Sequence, residues 1–269
     1  MNIPSEFFEV GENELGEQFI KNGFLIQPVE DQESLDQIRE LVAVTAGNFL
    51  GIDPAKSEEF LNNIHKEIEA ERLNDLRLTV ISELNADIAL RPSYFSLFRK
   101  LLAVLVGNEL AMQLRLNLSI QLPGDDSSLL PVHADVWSGD SPYEVVAWLP
   151  LVDCYRTKSM FLLPPEHAQS LHEHFSDYRG KSSEDLYQDI EANLHWVEIN
   201  YGEILVFNQN LPHGNRVNEE DETRWSLNCR FKSVFSPYGD KKLGEFFEPV
   251  TLRPVSRIGM QYRYPKTKD

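Results

Sequence analysis

Cysteine is scarce in this chain, which contains only Cys154 and Cys229 among its 269 residues. Two cysteines so far apart exclude a disulfide framework and a cysteine-ligated zinc site. We therefore expect both to be buried, unreactive thiols. Basic residues are also few: 25 lysines and arginines stand against 43 acidic residues, which gives a formal charge of −18. The resulting negative field repels phosphate backbones and anionic membrane surfaces, which argues against nucleic acid and membranes as partners.

Long apolar runs are missing as well. No run reaches the roughly 18 residues that a membrane-spanning helix needs. The acidic residues 1–18 lack the basic start and apolar stretch of a signal peptide. These features predict a cytoplasmic protein. The chain length favours a single domain over residues 1–269, with two small domains as the alternative, and it leaves the oligomeric state open.

Helical periodicity is typical of the N-terminal part, residues 1–110. We predict helices at residues 14–22, which end at Gly23, and at residues 31–44, where Asp31 and Ser34 act as capping residues. A third helix is predicted to start at Asp53-Pro54 and to reach Ile68, and a fourth spans residues 93–106. Residues 24–28 form a short strand between the first two helices.

From residue 111 the pattern changes to alternating polar and apolar positions, clearest over residues 113–121. Further predicted strands cover residues 144–151, 159–163, 194–200, 203–208 and 224–234, with helices at residues 166–178 and 182–193. The pattern predicts an α+β protein with a mainly β core, an antiparallel sandwich or barrel of jelly-roll type at residues 111–235. The helical N-terminal part packs on this core, and residues 236–269 form a C-terminal extension.

Two candidate metal ligands follow the alternating strand. In extended chain, residues two apart project to the same side, so His133 and Asp135 are able to converge on one point. The pair alone is weak, because a His-x-Asp triplet is more often a satisfied polar pair. His213, just beyond the strand at residues 203–208, supplies a third ligand, although a turn histidine that bonds a backbone carbonyl is the alternative. Two histidines and one carboxylate are the set with open positions found in Fe(II) oxygenases.

A candidate carboxylate anchor lies on the strand after His213. Arg224 and Ser226 share one face of that strand, and an arginine fork beside a hydroxyl suits one end of a dicarboxylate. Arg230 lies on the same face and is the rival anchor. A surface ion pair is the plainer interpretation of either arginine.

The order of these segments resembles the phytanoyl-CoA dioxygenase-like branch of Fe(II)/2-oxoglutarate oxygenases. The resemblance covers residues 113–234 together with the strand at residues 19–28, and it rests on the order and spacing of its segments. The similar segments are Pro131-Val132-His133-Ala134-Asp135-Val136-Trp137, Val146-Ala147-Trp148-Leu149-Pro150-Leu151, Tyr201-Gly202-Glu203-Ile204-Leu205-Val206-Phe207, His213-Gly214-Asn215 and Arg224-Trp225-Ser226. Pro164-Pro165-Glu166 departs from the family's glycine and serine at that loop.

The resemblance implies a double-stranded β-helix, cupin-like in shape, with Fe(II), 2-oxoglutarate and O2 as cofactor and co-substrates. It makes His133, Asp135 and His213 the metal ligands and places Arg224 and Ser226 on the distal carboxylate of 2-oxoglutarate. Asn117 and Trp148 correspond to positions that help to seat the co-substrate. The implied reaction is the hydroxylation or oxidation of a small molecule, such as a sugar or nucleotide-sugar derivative, because the sequence is similar to oxygenases of carbohydrate gene clusters.

Two other classes of protein remain open from the residues. A cupin-like zinc or iron protein without oxoglutarate chemistry, such as an isomerase or sensor, accepts the same three ligands. It would leave Arg224 and Ser226 facing solvent. The second is a non-enzymatic β-sandwich interaction module, in which His133 and His213 would lie far apart. Candidate cavity-lining residues are Trp137, Tyr143, Arg115, Arg230 and Trp196. The loop carboxylates Asp125, Asp126 and Asp140 are predicted to be solvated.

Overall fold

The computed structural model describes residues 5–266 of the chain. Its first part is helical, with one strand between the first two helices. In chain order the elements are α1 (Val10–Asn22), β1 (Phe24–Pro28), α2 (Gln32–Leu50), α3 (Ser57–Asn63), α4 (Leu73–Ala86), α5 (Leu90–Ser96) and α6 (Arg99–Leu105). No helix in the described part of the chain is both long and apolar enough to span a bilayer.

The second part is dominated by strands. It contains β2 (Leu110–Gln113), β3 (Asn117–Gln121), β4 (Glu144–Pro150), β5 (Phe161–Leu162), α7 (Pro165–Glu173), α8 (Ser183–Ile190), β6 (His195–Trp196), β7 (Glu203–Asn208), β8 (His213–Gly214), β9 (Arg224–Ser233), β10 (Phe247–Pro249) and α9 (Pro254–Gln261). Seven strands form one sheet in the order β1-β7-β4-β9-β2-β10, with β3 also paired to β9, and β6-β5-β8 form a second sheet. The pairings between these strands are antiparallel.

The mixed helical and antiparallel class predicted from the sequence is confirmed, while several boundaries are wrong. Helix α2 begins as predicted, since the Asp31 carboxylate accepts the N–H of Ser34 at 3.1 Å. It continues six residues beyond Val44 to Leu50. The helix ends there because Gly51 adopts the left-handed conformation, at φ 74°. The helix predicted from Asp53-Pro54 starts only at Ser57.

The helix predicted over residues 93–106 is divided into α5 and α6. Leu97 and Phe98 form a turn between them and are fully buried. The carboxylate of Glu30 then accepts the backbone N–H groups of Lys100 at 2.6 Å and Leu101 at 3.3 Å, which gives α6 a separate start.

The strand predicted over residues 113–121 is divided too. Both β2 and β3 pair with β9, and residues 114 and 115 between them form a bend. Arg115 is exposed in that bend. The predicted strands at residues 159–163 and 194–200 are reduced to the two-residue strands β5 and β6. The strand predicted at residues 203–208 has the observed bounds, and β9 ends one residue before its prediction.

The helical part packs on the face of the large sheet that is opposite to Arg224. The Tyr94 hydroxyl of α5 donates to the backbone oxygen of Ala147 at 2.9 Å, and the Trp225 indole N–H donates to the oxygen of Leu61 at 3.0 Å. One buried apolar cluster runs without interruption from the helices into β4, β7 and β9. Cys154 and Cys229 are free and buried, and burial raises the pKa of each thiol to about 12, so both are unreactive as expected.

Candidate metal centre

The three predicted ligands come from chain segments that the backbone brings side by side. His133 and His213 form a β-bridge: the His133 N–H donates to the His213 oxygen at 3.0 Å, and the His213 N–H donates to the His133 oxygen at 2.8 Å. Asp135 starts a short 3-10 helix, Asp135–Ser138, directly after the bridge. The bridge thus places two histidines 80 positions apart in the sequence next to each other.

The ligand atoms of His133, Asp135 and His213 all lie within 4.8 Å of one another, close enough to hold one metal ion. The Nδ1 atom of His133 lies 2.9 Å from the Pro131 oxygen, and that of His213 lies 2.9 Å from the Leu211 oxygen. A carbonyl oxygen only accepts, so each Nδ1 carries the proton and each Nε2 keeps a free lone pair. Both imidazoles are therefore oriented as metal ligands by backbone contacts.

The pKa of His213 is lowered to about 4, chiefly by burial and next by the neighbouring His133. A histidine in the unfolded chain titrates near 6.5. Between about pH 6.5 and pH 4 the unfolded chain therefore binds a proton that the folded chain does not bind, and stability falls as the pH falls through this window. His213 is neutral at pH 7, as a metal ligand must be.

This shift gives a testable pH dependence. In metal-free protein, the wild type should lose about 2 kcal/mol more unfolding free energy between pH 7 and pH 4.5 than His213→Gln, because the variant lacks the depressed histidine. Urea unfolding in the presence of a chelator measures the difference. His167→Gln, at a partly exposed position outside the triad, should keep the wild-type dependence. If wild type and His213→Gln lost the same unfolding free energy between pH 7 and pH 4.5, the lowered pKa of His213 would be contradicted.

A cavity of about 440 Å³ opens beside the triad and extends to Arg224. Its wall includes Asn117 and Trp148, both named from the sequence, and also Ser119, Met160 and Asn228, which were not. Asn117 donates its Nδ2 to Oδ1 of its cross-strand neighbour Asn228 at 2.9 Å. Ser119 lies two positions after Asn117 on the same face of β3, and this spacing is the signal that could have identified it.

Arg224 is 3% exposed, so it is not a surface ion-pair residue. Its Nη1 donates to the Ser159 backbone oxygen at 2.8 Å and its Nη2 donates to Ser119 Oγ at 2.9 Å. Burial lowers the pKa of Arg224 to about 10, which leaves it cationic at neutral pH. It has no salt-bridge partner in the described part of the chain.

Some buried polar atoms without a hydrogen-bond partner belong to Arg224 or to nearby serines, which are themselves not part of the cavity wall. Among residues 5–266 they include Arg224 Nε, Ser226 Oγ and Ser159 Oγ. A buried polar group left unpaired costs about 1–3 kcal/mol. A buried cation with an open donor and two adjacent hydroxyl groups therefore fits an anionic ligand with several acceptor oxygens.

Arg230, the rival anchor, lines the same cavity but is held by two carboxylates. Its Nη2 donates to Asp135 Oδ1 at 2.7 Å and its Nη1 donates to Asp140 Oδ2 at 2.7 Å. Asp140 was predicted to be solvated, and that prediction is wrong, since the residue is 6% exposed and also accepts from Lys241 Nζ at 2.6 Å. Sequence reasoning missed Lys241 because it lies about a hundred positions from its partner.

Four of the five residues proposed as cavity lining lie elsewhere. Arg115 and Tyr143 are exposed, and neither they nor Trp137 and Trp196 are part of the cavity wall. Trp137 packs against Phe175 and Trp196 against Phe161, and both tryptophans contact a second apolar cluster. Arg77 of α4 takes a place in the wall that the sequence did not indicate, and its Nη2 donates to Ser128 Oγ at 2.7 Å.

Two histidines, a carboxylate and a buried arginine thus lie around one cavity of an antiparallel fold, which makes this cavity a candidate non-haem metal site. A sequence profile of the phytanoyl-CoA dioxygenase (PhyH) family matches residues 19–225, so the chain belongs to that family. The resemblance seen in the sequence is thus confirmed. The match begins at Phe19, the position where the resemblance of the first strand starts. No curated protein sequence matches the chain.

Several solved structures share the fold at low sequence identity. SnoK, a non-heme alpha ketoglutarate dependent carbocyclase from nogalamycin biosynthesis, is 15% identical with a TM-score of 0.56, over 93% of this chain and 100% of SnoK. HygX from Streptomyces hygroscopicus, with nickel and 2-oxoglutarate bound, is 15% identical with a TM-score of 0.51, over 88% and 90%. The non-heme monooxygenase ThoJ in its nickel complex is 19% identical with a TM-score of 0.50, over 94% and 89%.

Proposed function

We propose that the chain is an Fe(II)- and 2-oxoglutarate-dependent dioxygenase that hydroxylates or oxidises a small molecule. The observation that carries the proposal is the position of Arg224. A buried arginine with an open donor, beside the unpartnered Ser226 hydroxyl, lies in the same cavity as His133, Asp135 and His213. Family membership and the metal-binding, 2-oxoglutarate-binding structural neighbours support it.

His133, Asp135 and His213 would hold the iron, and the donor set fits it. Two neutral imidazoles and one carboxylate leave adjacent positions for a chelating co-substrate and O2. Arg224 and Ser226 would bind the distal carboxylate of 2-oxoglutarate, with Asn117 and Trp148 beside it. When bound, the iron supplies O2 activation coupled to the conversion of 2-oxoglutarate to succinate and CO2, with oxidation of a C–H bond of the substrate.

The protein's own part is to orient the reactants and to exclude water. Met160, Val146 and Phe207 supply apolar wall next to the triad, and Arg224 supplies the fixed positive charge. Each group that orients the co-substrate lies on a strand of the large sheet, so the binding geometry is formed before the ligand enters. The proposal includes two features of the fold, namely a double-stranded β-helix and a single domain over residues 1–269. The two antiparallel sheets are compatible with both.

We extend the proposal to the substrate, which we place among sugars and nucleotide sugars. The cavity wall includes several small hydrogen-bonding side chains, namely Asn117, Asn215, Asn228, Ser127 and Ser128. Such a wall suits a polyhydroxylated ligand better than an apolar one.

The cupin-like zinc or iron protein without oxoglutarate chemistry is the competing function. It predicts that Arg224 and Ser226 face solvent, because a bare three-ligand metal site has no use for them. Arg224 is 3% exposed and Ser226 is 0% exposed, which supports the oxygenase.

Anaerobic addition of Fe(II) and 2-oxoglutarate to the metal-free protein tests the proposed function. We expect a weak visible charge-transfer band that appears only when both are present, because 2-oxoglutarate then chelates the iron. Zn(II) in place of Fe(II) is the control and should give no band, since its filled d shell has no such transition. Folded protein that binds Fe(II) but gives no band with 2-oxoglutarate would overturn the proposal.

A further inference from the structure

Arg230 connects a candidate metal ligand to a second buried carboxylate. Its two terminal nitrogens donate to Asp135 Oδ1 and to Asp140 Oδ2, each at 2.7 Å. The side chains of Arg230, Asp135 and Asp140 are 14%, 10% and 3% exposed. Charge-assisted bonds of this length between buried groups are strong and directional. Arg230 is thereby fixed at both ends of its guanidinium group.

The C-terminal segment, which begins at residue 236, contacts Asp140 through Lys241. Lys241 Nζ donates to the Asp140 oxygen that also accepts from Arg230, at 2.6 Å. The backbone of this segment lies directly on the loop of Asp140: the Asp240 N–H donates to the Gly139 oxygen at 3.0 Å. A Cβ on Gly239 would lie 2.3 Å from that same oxygen, so only glycine allows this approach.

The contact occupies one oxygen of Asp135 and leaves the other open. Within residues 5–266, Asp135 Oδ2 accepts no hydrogen bond, whereas Oδ1 accepts from Arg230. A carboxylate free to rotate would be able to offer both oxygens to a metal and to close a position that a chelating co-substrate and O2 need. With Oδ1 held by Arg230, the carboxylate keeps one orientation toward the histidines, and Oδ1 lies 3.8 Å from His133 Nε2.

We propose that Arg230 is a positioning residue that orients the Asp135 carboxylate for metal binding, and that Asp140 and Lys241 fix Arg230 in turn. The inference rests on the proposed function, because it requires a metal at the triad. It gives Arg230 a role different from that of Arg224, six positions earlier on β9. It also gives the C-terminal segment a function at the metal centre, through Lys241.

Titration of the metal-free protein with Co(II) tests this role without any turnover. The visible absorption of bound Co(II) reports both affinity and coordination. Arg230→Met should raise the Co(II) dissociation constant about 10–100-fold, the effect expected when the partner of a metal ligand is removed, and should change the shape of the band. Arg230→Lys should recover part of the affinity, because one ammonium group is able to donate to Asp135 but not in the same two-pronged geometry.

Two further variants separate positioning from stability. Asp140→Asn should weaken Co(II) binding in the same direction but less, because Arg230 loses its fixed partner and keeps its charge. Arg39→Met is the matched control: Arg39 pairs with Glu58 outside the cavity, and its side chain is 18% exposed. It should change neither the affinity nor the band, whatever it does to the melting temperature.

The outcomes distinguish the two proposals. Wild-type protein that binds neither Co(II) nor Fe(II) would overturn the metal site, and the positioning role with it. Wild-type protein that binds Co(II), with folded Arg230→Met or Arg230→Lys of the same affinity and spectrum, would overturn the positioning role alone. If Arg230→Met does not fold, Arg230→Lys and Asp140→Asn decide the question, and a lower melting temperature with unchanged Co(II) binding would mean that the role is only structural.

Discussion

His133→Ala should give a folded protein that no longer consumes 2-oxoglutarate in the presence of Fe(II). The His133 side chain is 31% exposed, so its removal leaves no closed cavity in the core. The ligand set nevertheless falls from three groups to two. We expect the Fe(II) dissociation constant to rise by about 100-fold or more, beyond the 10–100-fold that removal of a ligand's hydrogen-bond partner causes. Fe(II) titration and succinate release measure the two effects.

The control for this variant is His167→Ala. His167 lies on α7 with a side chain that is 39% exposed, a similar environment for a histidine outside the triad. It should bind Fe(II) and consume 2-oxoglutarate as the wild type does. His133→Ala with wild-type Fe(II) affinity would exclude His133 as a ligand and would favour another metal site.

Arg224→Met should separate co-substrate binding from metal binding. Truncation of one partner of a buried charge pair costs about 2–5 kcal/mol, so the dissociation constant of 2-oxoglutarate should rise by at least about 30-fold. Fe(II) affinity should stay at the wild-type value, because Arg224 contacts Ser159 and Ser119 and none of the three candidate ligands. Anaerobic titration of the charge-transfer band measures 2-oxoglutarate binding, and Fe(II) is titrated separately.

Three companion variants sharpen this experiment. Arg224→Lys should recover only part of the affinity, because an ammonium group lacks the planar fork. Ser226→Ala should weaken 2-oxoglutarate binding less than Arg224→Met, since it removes one neutral hydroxyl. Arg216→Met, which breaks the surface pair with Glu184, should leave both affinities unchanged. Equal losses of Fe(II) and 2-oxoglutarate affinity in Arg224→Met would contradict the anchor role.

The sequence predicts the elements whose boundaries are set by local chemistry. Strand β7 was predicted with its observed bounds because Gly202, at φ 99°, marks its start and an apolar run follows it. The division between β2 and β3 was not predicted, because polar and apolar residues alternate through Arg115 without a break. The break is visible only when both segments are paired with β9, which is long-range information.

The same limit applies to the candidate site. Residue types and their order indicated His133, Asp135, His213 and Arg224, and the fold places all four around one cavity. The sequence could not choose between Arg224 and Arg230, since both lie on the same face of β9. The difference comes from Asp140, 90 positions away from Arg230, whose burial no local pattern encodes.

The division of the cavity wall between sheet and loop has a consequence for how this enzyme could change. Arg224, Asn228 and Arg230 project from one continuous strand, whereas Ser127, Ser128 and Leu129 come from a loop and Arg77 from a helix. Substitutions in the loop or at Arg77 can reshape that part of the cavity wall while the strand keeps its spacing. Directed evolution toward new substrates should therefore accumulate changes at residues 127–130 and on α4, and a library restricted to these positions would leave the candidate metal ligands and Arg224 unchanged.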